Sequence, residues 1–225
     1  MLSNALRKFK TILTDPVIRN RLLFVVAAFA VFRFLASIPI PGVDQVALTQ
    51  FLSNNQFLGL LNIFSGGGLS NLSIVMLGVG PYITASILMQ LATVISPRVK
   101  AMYSEEGEQG RTRFMSISRM IAVPFAVLQG VAFLTLLESQ GIVTTLTPFD
   151  FAENVILIAA GSMLLMWIGE LITEFGIGNG VSLIIFAGIV ASLPAGLSQA
   201  LFTATAANIP AYVGFAVLAL LVILA

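Results

Sequence analysis

The chain has 225 residues, of which 58% are hydrophobic and 9% are charged, and its mean hydropathy of +1.01 lies far above that of a soluble domain. This composition predicts a membrane protein that crosses the bilayer several times. The formal net charge is +1 and all 11 lysines and arginines lie at or before Arg119, so the composition gives no reason to expect a basic nucleic-acid-binding surface.

The chain contains no cysteine and no histidine. This absence excludes disulfides, thiolate chemistry, histidine-metal sites and a Ser-His-Asp triad. We expect no enzyme activity, no catalytic residue, no cofactor and no metal site in this chain.

Residues 1–21 contain several basic residues and precede a long apolar run, which predicts a cytosolic amphipathic segment ahead of a retained span. The first span is predicted from Leu22 to Ile38, and the prolines of IPIPGVD end it. Arg33 lies near the far end of this span. A long side chain there can extend to the interface or pair inside the bundle, and the first role is favoured.

Residues 57–95 are an apolar run that is broken by Ser-Gly-Gly-Gly-Leu-Ser. As one straight helix this run would be about 58 Å long, roughly twice the thickness of a bilayer core. Because adjacent glycines favour the end of a helix, we predict a half-helix at 57–64, a hinge at the three glycines, and a second span at about 72–95. Non-helical backbone at membrane depth needs protein or a water-filled cavity around it, so this stretch is predicted to line a functional cavity.

The remaining chain predicts further spans separated by polar connections. The most polar stretch, 98–114, is predicted to be a water-exposed loop. Spans three, four and five are predicted at about 115–137, 155–172 and 181–202, and residues 206–225 are predicted to be the start of a sixth. Basic residues concentrate in 1–21 and 97–119, which predicts that both segments are cytosolic.

Two motifs near the end of span four each allow a structural and a functional interpretation. Glu170 and Glu174 share one helical face and would suit a proton or cation site if they faced a cavity. At the end of a span, a solvated or structural role is favoured. The glycines of FGIGNG at 175–180 do not follow a strand with dinucleotide-binding spacing, so nucleotide binding is rejected.

Two aliphatic pairs are spaced by one helical turn: Val79 with Ile83, and Ile185 with Ile189. On spacing alone, lipid-facing or core positions are favoured for all four. The functional alternative is a ring of aliphatic side chains at a pore waist, which seals by excluding water.

Five longer strings carry a specific resemblance: IPIPGVD at 38–44, NIFSGGGLSNLSI at 62–74, LGVGPYITASILMQL at 77–91, EEGEQGR at 105–111 and GELITEFGIGNGVSLIIFAGIVA at 169–191. With these strings in order through essentially the whole chain, the sequence resembles the SecY family, the channel subunits of the bacterial protein translocase. The resemblance implies an all-α polytopic bundle in which two inverted halves of five helices surround an hourglass pore with a lateral gate. Residues 22–205 would form the first half.

The resemblance also implies roles for individual residues. The pore ring would comprise Val79, Ile83, Ile185 and Ile189. A plug beneath the ring would comprise Leu60, Leu61, Asn62, Ile63, Phe64, Ser65, Gly66, Gly67, Gly68, Leu69 and Ser70. The lateral gate would include Thr84, Ile87, Gln90 and Gln129. The first large cytosolic loop would include Glu105, Glu106, Glu108, Arg111 and Arg113.

The implied function is that of a pore-forming subunit, which passes unfolded secretory proteins across the bacterial cytoplasmic membrane and membrane proteins into it. The implied partners are the small subunits SecE and SecG, the motor ATPase SecA or a ribosome, signal sequences and nascent polypeptides, lipid, and the C-terminal half of the channel. Two alternatives stay open at this point. One is a secondary transporter or small-solute channel with a broken helix, and the other is a half that is inert without its partner fragment.

Overall fold

The computed structural model describes residues 15–42, 47–48, 50–51, 62, 67–143, 146–202, 214, 218–219 and 221–222. In these ranges the secondary structure is helical, without a strand, and comprises α1 (Pro16–Leu35), α2 (Gly80–Ile95), α3 (Pro97–Ser104), α4 (Gly107–Ser139), α5 (Pro148–Phe175) and α6 (Gly180–Phe202). By length and composition, α4 and α5 can cross a membrane, and α2 and the first part of α6 are shorter apolar helices. Of the predicted half-helix at 57–64, all residues except Asn62 lie outside the described ranges.

Helices α1 and α5 begin earlier than the predicted spans because each has a strong start signal. At α1, the Asp15 carboxylate accepts a hydrogen bond from the Val17 amide at 2.9 Å, and Pro16 occupies the first turn. At α5, the Thr147 hydroxyl accepts from the Asp150 amide at 3.3 Å, and a proline follows it. The predicted starts at 22 and 155 lie too far along the chain, because hydropathy alone does not detect these capping residues.

The predicted second span at 72–95 is wrong in its first part. Residues 67–79, the turn segment, form successive turns, and α2 begins only at Gly80. The turn segment bonds instead to the chain that follows α1: the Ile40 amide donates to the Leu72 carbonyl at 2.9 Å, and the Ile74 amide to the Ile38 carbonyl at 3.0 Å. Leu72 is fully buried at a φ of +39°, a left-handed conformation that costs a non-glycine residue about 1–2 kcal/mol.

The predicted loop at 98–114 is also wrong in its secondary structure, although its charged side chains are exposed as expected. Helix α3 and the first turns of α4 form a helical hairpin around a turn at 105–106. Gly107 provides the positive φ of +65° that the turn requires. A Cβ at Gly110 would overlap the Met102 carbonyl oxygen, so the second glycine of EEGEQGR allows the two helices to touch.

Buried side chains connect the helices around the turn segment. One core cluster joins Leu69, Leu72 and Met76 to α4 and α5 through residues such as Leu134 and Ile158. A second cluster joins Val75 and Val79 of the same segment to α1, α5 and α6. The turn segment therefore lies at the centre of the packing even though it is not helical.

The chain divides into two units, Met1–Ile189 and Val190–Ala225. The first unit contains α1 to α5 and the first part of α6. In the second unit the structure describes the rest of α6, which contains Pro194, and five residues beyond it. Most of the predicted sixth-span start at 206–225 lies outside the described residues.

Helix α5 touches the turn segment directly at two adjacent small residues. A Cβ at Gly161 would overlap the Ile74 carbonyl oxygen. The hydroxyl of Ser162 donates to the Gly78 carbonyl, 84 residues away in sequence. The absence of a side chain at Gly161 is thus required for the turn segment to lie against α5.

We expect Gly161→Ala to lower the free energy of unfolding by about 1–3 kcal/mol, because the added methyl group must displace backbone. Gly130→Ala is the matched control, since its Cβ would meet neighbours only at 3.8 Å and alanine favours a helix interior. Thermal unfolding of the purified protein in detergent measures both. Equal effects of the two substitutions would contradict the close approach at Gly161.

Candidate functional site

A cavity of about 420 Å³ opens between the turn segment and helices α2, α4 and α6. Its walls are almost entirely apolar, and Gln129 supplies the one polar side chain among the described residues that line it. The lining residues are Leu69, Met76, Leu77, Val79, Gly80, Ile83, Gln129, Ala132, Phe133, Leu136 and Ile185.

Three of the four predicted pore-ring residues lie on the wall of this cavity. Val79 immediately precedes α2, and its carbonyl accepts from the Ile83 amide at 3.0 Å, so their side chains are one turn apart on one face. Ile185 approaches the same cavity from α6. Val79 is only 4% exposed, which excludes a lipid-facing position for it in this unit. Ile189 is half-buried one turn further along α6 and does not line the cavity.

The predicted plug reaches the same cavity through Leu69, which is 3% exposed. Asn62 holds the turn that precedes it: the Gly67 amide donates to the Asn62 carbonyl at 2.9 Å, and the Ser70 amide donates to the Asn62 side-chain oxygen at 2.8 Å. Gly68 is buried in this turn. The predicted plug residues Leu60, Leu61, Ile63, Phe64, Ser65 and Gly66 lie outside the described residues.

The predicted gate residues lie on α2 and α4. The Gln129 amide donates to the Thr84 hydroxyl at 3.5 Å, the long end of the hydrogen-bond range, and Thr84 donates to the Gly80 carbonyl at 3.1 Å. Ile87 and Gln90 lie further along α2 and are exposed. Of these four residues, only Gln129 lines the cavity.

The predicted cytosolic-loop residues lie away from the cavity, at the turn between α3 and α4 and in the first turns of α4. All five are exposed: Glu105, Glu106, Glu108, Arg111 and Arg113. Tyr103 and Phe114 pack beside them, with ring centroids 5.0 Å apart, and connect α3 to α4.

Sequence reasoning gave no role to six of the eleven residues that line the cavity: Met76, Leu77, Gly80, Ala132, Phe133 and Leu136. Ala132, Phe133 and Leu136 follow Gln129 at helical spacing, so the periodicity of α4 could have found them once Gln129 was chosen. Met76 and Leu77 carried no such signal, because their orientation depends on the turns that replace the predicted helix.

An ion pair joins α4 to α5 away from this wall. Arg119 contacts Glu170, and their side chains are 42% and 22% exposed. Glu174, one turn later, is exposed. Because Glu170 already has a cationic partner from a neighbouring helix, the pair supports the structural interpretation of this carboxylate over a cation site.

Removing one charge of this pair, as in Glu170→Gln, is expected to lower the free energy of unfolding by about 1 kcal/mol, a modest value because Arg119 is substantially exposed. Exchanging the charges with Arg119→Glu and Glu170→Arg together should recover much of the loss that either reversal causes alone. Thermal unfolding in detergent of the parent, Glu170→Gln, the two single reversals and the exchanged protein tests this. Additive losses in the exchanged protein would mean that the two side chains do not stabilise each other.

Comparisons with known proteins show which family this chain resembles. A family model described as SecY matches residues 73–225. The SecY protein translocase subunit of Synechocystis sp. is 44% identical over 182 residues, which cover 81% of this chain and 41% of that relative.

Two solved structures are similar in fold, each at 20% identity and each covering 80% of this chain and 38% of the other. One is a protein-conducting channel, with a TM-score of 0.56. The other, with a TM-score of 0.54, is a SecY protein whose plug domain is described as stabilising the closed state of the translocation channel and maintaining a membrane seal.

The chain spans about two fifths of the length of these proteins. The resemblance drawn from the five strings is confirmed, and so is the helical membrane-protein fold that it implied. The family model matches more than half of the chain and the fold is similar to part of a protein-conducting channel, so this chain belongs to the SecY family.

Proposed function

We propose that this chain supplies one side of the pore in a protein-conducting channel and that the cavity is the closed waist of that pore. One observation carries the proposal: a single apolar cavity gathers Leu69 from the predicted plug, three predicted ring residues and Gln129 from the predicted gate. These residues are up to 116 positions apart in sequence, from Leu69 to Ile185, so their meeting is a property of the fold.

The apolar wall of the cavity is suited to sealing the pore while no substrate occupies it. Aliphatic side chains offer water no hydrogen-bonding partner, so a narrow constriction lined by them excludes water and ions. The same side chains can move apart around an extended polypeptide without leaving a polar group unsatisfied. Leu69 contributes to the wall from the chain just after the three glycines, which supports a plug role for residues 60–70.

Helices α2 and α4 would lie together on one side of the lateral gate. Ala85 of α2 and Ala122 of α4 belong to one buried cluster, and the Gln129 side-chain amide donates a long hydrogen bond to the Thr84 hydroxyl. Beyond this link, α2 exposes the apolar side chains of Ile87, Leu91 and Val94. Such an apolar surface is suited to contact with the hydrophobic segment of a signal sequence, or with lipid when no signal sequence is bound.

The remaining expectations belong to the same proposal. The N-terminus and the α3–α4 hairpin would face the cytosol of a bacterium, because the basic residues concentrate there. The exposed charges of the hairpin would face SecA or a ribosome. SecE, SecG and the C-terminal half of the channel would complete the assembly in the cytoplasmic membrane.

Deletion of residues 60–68 tests the plug. In a full-length SecY protein that carries these residues, we expect the deletion to raise the ion conductance of reconstituted, substrate-free channels, because the seal loses its lower part. An unchanged conductance, with normal assembly of the deletion protein, would contradict the plug assignment.

Ile83→Ser tests the waist. A hydroxyl in the cavity wall gives water a partner, so the substitution is expected to raise conductance in the substrate-free channel. Ile95→Ser is the matched control: Ile95 lies on the same helix, is 83% exposed and does not line the cavity. Equal conductance of the two variants would argue against a seal at Ile83.

A further inference from the structure

The peptide carbonyl of Gly78 lies directly behind the wall of the cavity. Its chain neighbours, Leu77 and Val79, both line the cavity, and Gly78 itself is buried. Gly78 has a φ of +58°, a left-handed conformation that glycine adopts without steric penalty. The residue therefore lies outside α2, whose hydrogen bonds begin with that from the Ile83 amide to the Val79 carbonyl.

Because the helix does not pair the Gly78 carbonyl, this group needs a partner from elsewhere in the protein. In the described part of the chain, its partner is the hydroxyl of Ser162, which belongs to α5 and is 1% exposed. A buried carbonyl without a partner is costly at membrane depth, and a water molecule is the alternative that could satisfy it.

Apolar packing and the local turn hold this region in other respects. The side chain of Val79 belongs to the core cluster that joins α1, α5 and α6, and the Gly78 amide donates to the Val75 carbonyl at 2.8 Å. These contacts hold the Val79 side chain and the Gly78 amide. They provide no donor for the Gly78 carbonyl, and Ser162 supplies it.

We propose that Ser162 is a positioning residue that keeps the waist dry, because its hydroxyl satisfies the Gly78 carbonyl and fixes the peptide group that precedes Val79. This inference rests on the proposed function. A wall of aliphatic side chains excludes water only while it offers no hydrogen-bonding partner. An unpaired carbonyl next to Val79 would provide one, so losing the hydroxyl would favour the entry of water.

The test measures the ion conductance of substrate-free, reconstituted channels in a full-length SecY protein that carries these residues. Ser162→Ala removes the donor with little change in volume and is expected to raise conductance several-fold. Ser162→Thr keeps a hydroxyl at the same position and should return conductance to near the parental value. A residue that acted only by filling space would not show this recovery.

Ser118→Ala is the matched control. Ser118 of α4 is 2% exposed and does not line the cavity, and its hydroxyl donates to the Phe114 carbonyl of its own helix at 2.9 Å. The amide four residues later in an α-helix already pairs such a carbonyl, so removing this hydroxyl leaves no unpaired group. Its conductance should stay at the parental value.

If Ser162→Ala does not assemble, Ser162→Cys has a similar volume and a weaker donor, and its conductance should exceed the parental value. Parental conductance in the assembled alanine variant or its cysteine substitute would overturn the inference. An equal rise in Ser118→Ala, or no recovery in an assembled Ser162→Thr, would overturn it as well.

Ile83→Ser, measured in the same channels, separates this inference from the proposed function. If Ile83→Ser raises conductance and Ser162→Ala does not, only the role of Ser162 is contradicted. If Ile83→Ser leaves conductance unchanged, the waist itself is contradicted, and the role of Ser162 with it.

Discussion

The structure depends on how the backbone of residues 67–79 is satisfied without a helix. Inside a bilayer an unpaired amide or carbonyl group is costly, so a non-helical stretch must find its partners within the protein. Here the partners are the 38–40 segment, which pairs with 72–74, successive turns within 67–79 itself, and the Ser162 hydroxyl of α5. This arrangement lets the chain turn inward and carry Leu69 and Val79 to one cavity.

Helices α4 and α5 form the frame that makes this arrangement possible. Gly161 brings α5 against the turn segment, and the ion pair of Arg119 with Glu170 connects α5 to α4. Helix α4 in turn presents Gln129 and the residues that follow it at helical spacing to the cavity. The turn segment and the predicted ring residues that line the cavity are therefore packed on a scaffold of two long helices.

Several strings that carry the family resemblance have direct structural tasks. IPIPG supplies the pairing partner of the turn segment. The two glycines of EEGEQGR allow the α3–α4 hairpin. In FGIGNG, a Cβ at Gly180 would overlap the Gly169 carbonyl, and the Gly180 amide donates to the Thr173 hydroxyl at 2.8 Å. Gly180 of the last motif thus serves close packing between α5 and α6.

The sequence by itself determined the membrane class, the order of the apolar helices, the family and the residues proposed for the ring, because hydropathy and long ordered strings are properties of the chain alone. It predicted the start of α2 wrongly, because the partners that hold 72–79 out of a helix lie at 38–40 and 162. It also did not predict the helices within 98–114, because interleaved charges indicate exposure to water but do not specify the backbone conformation. The neighbours of Ser162 and Glu170 were decided only by the tertiary structure, which brings distant turns and helices into contact.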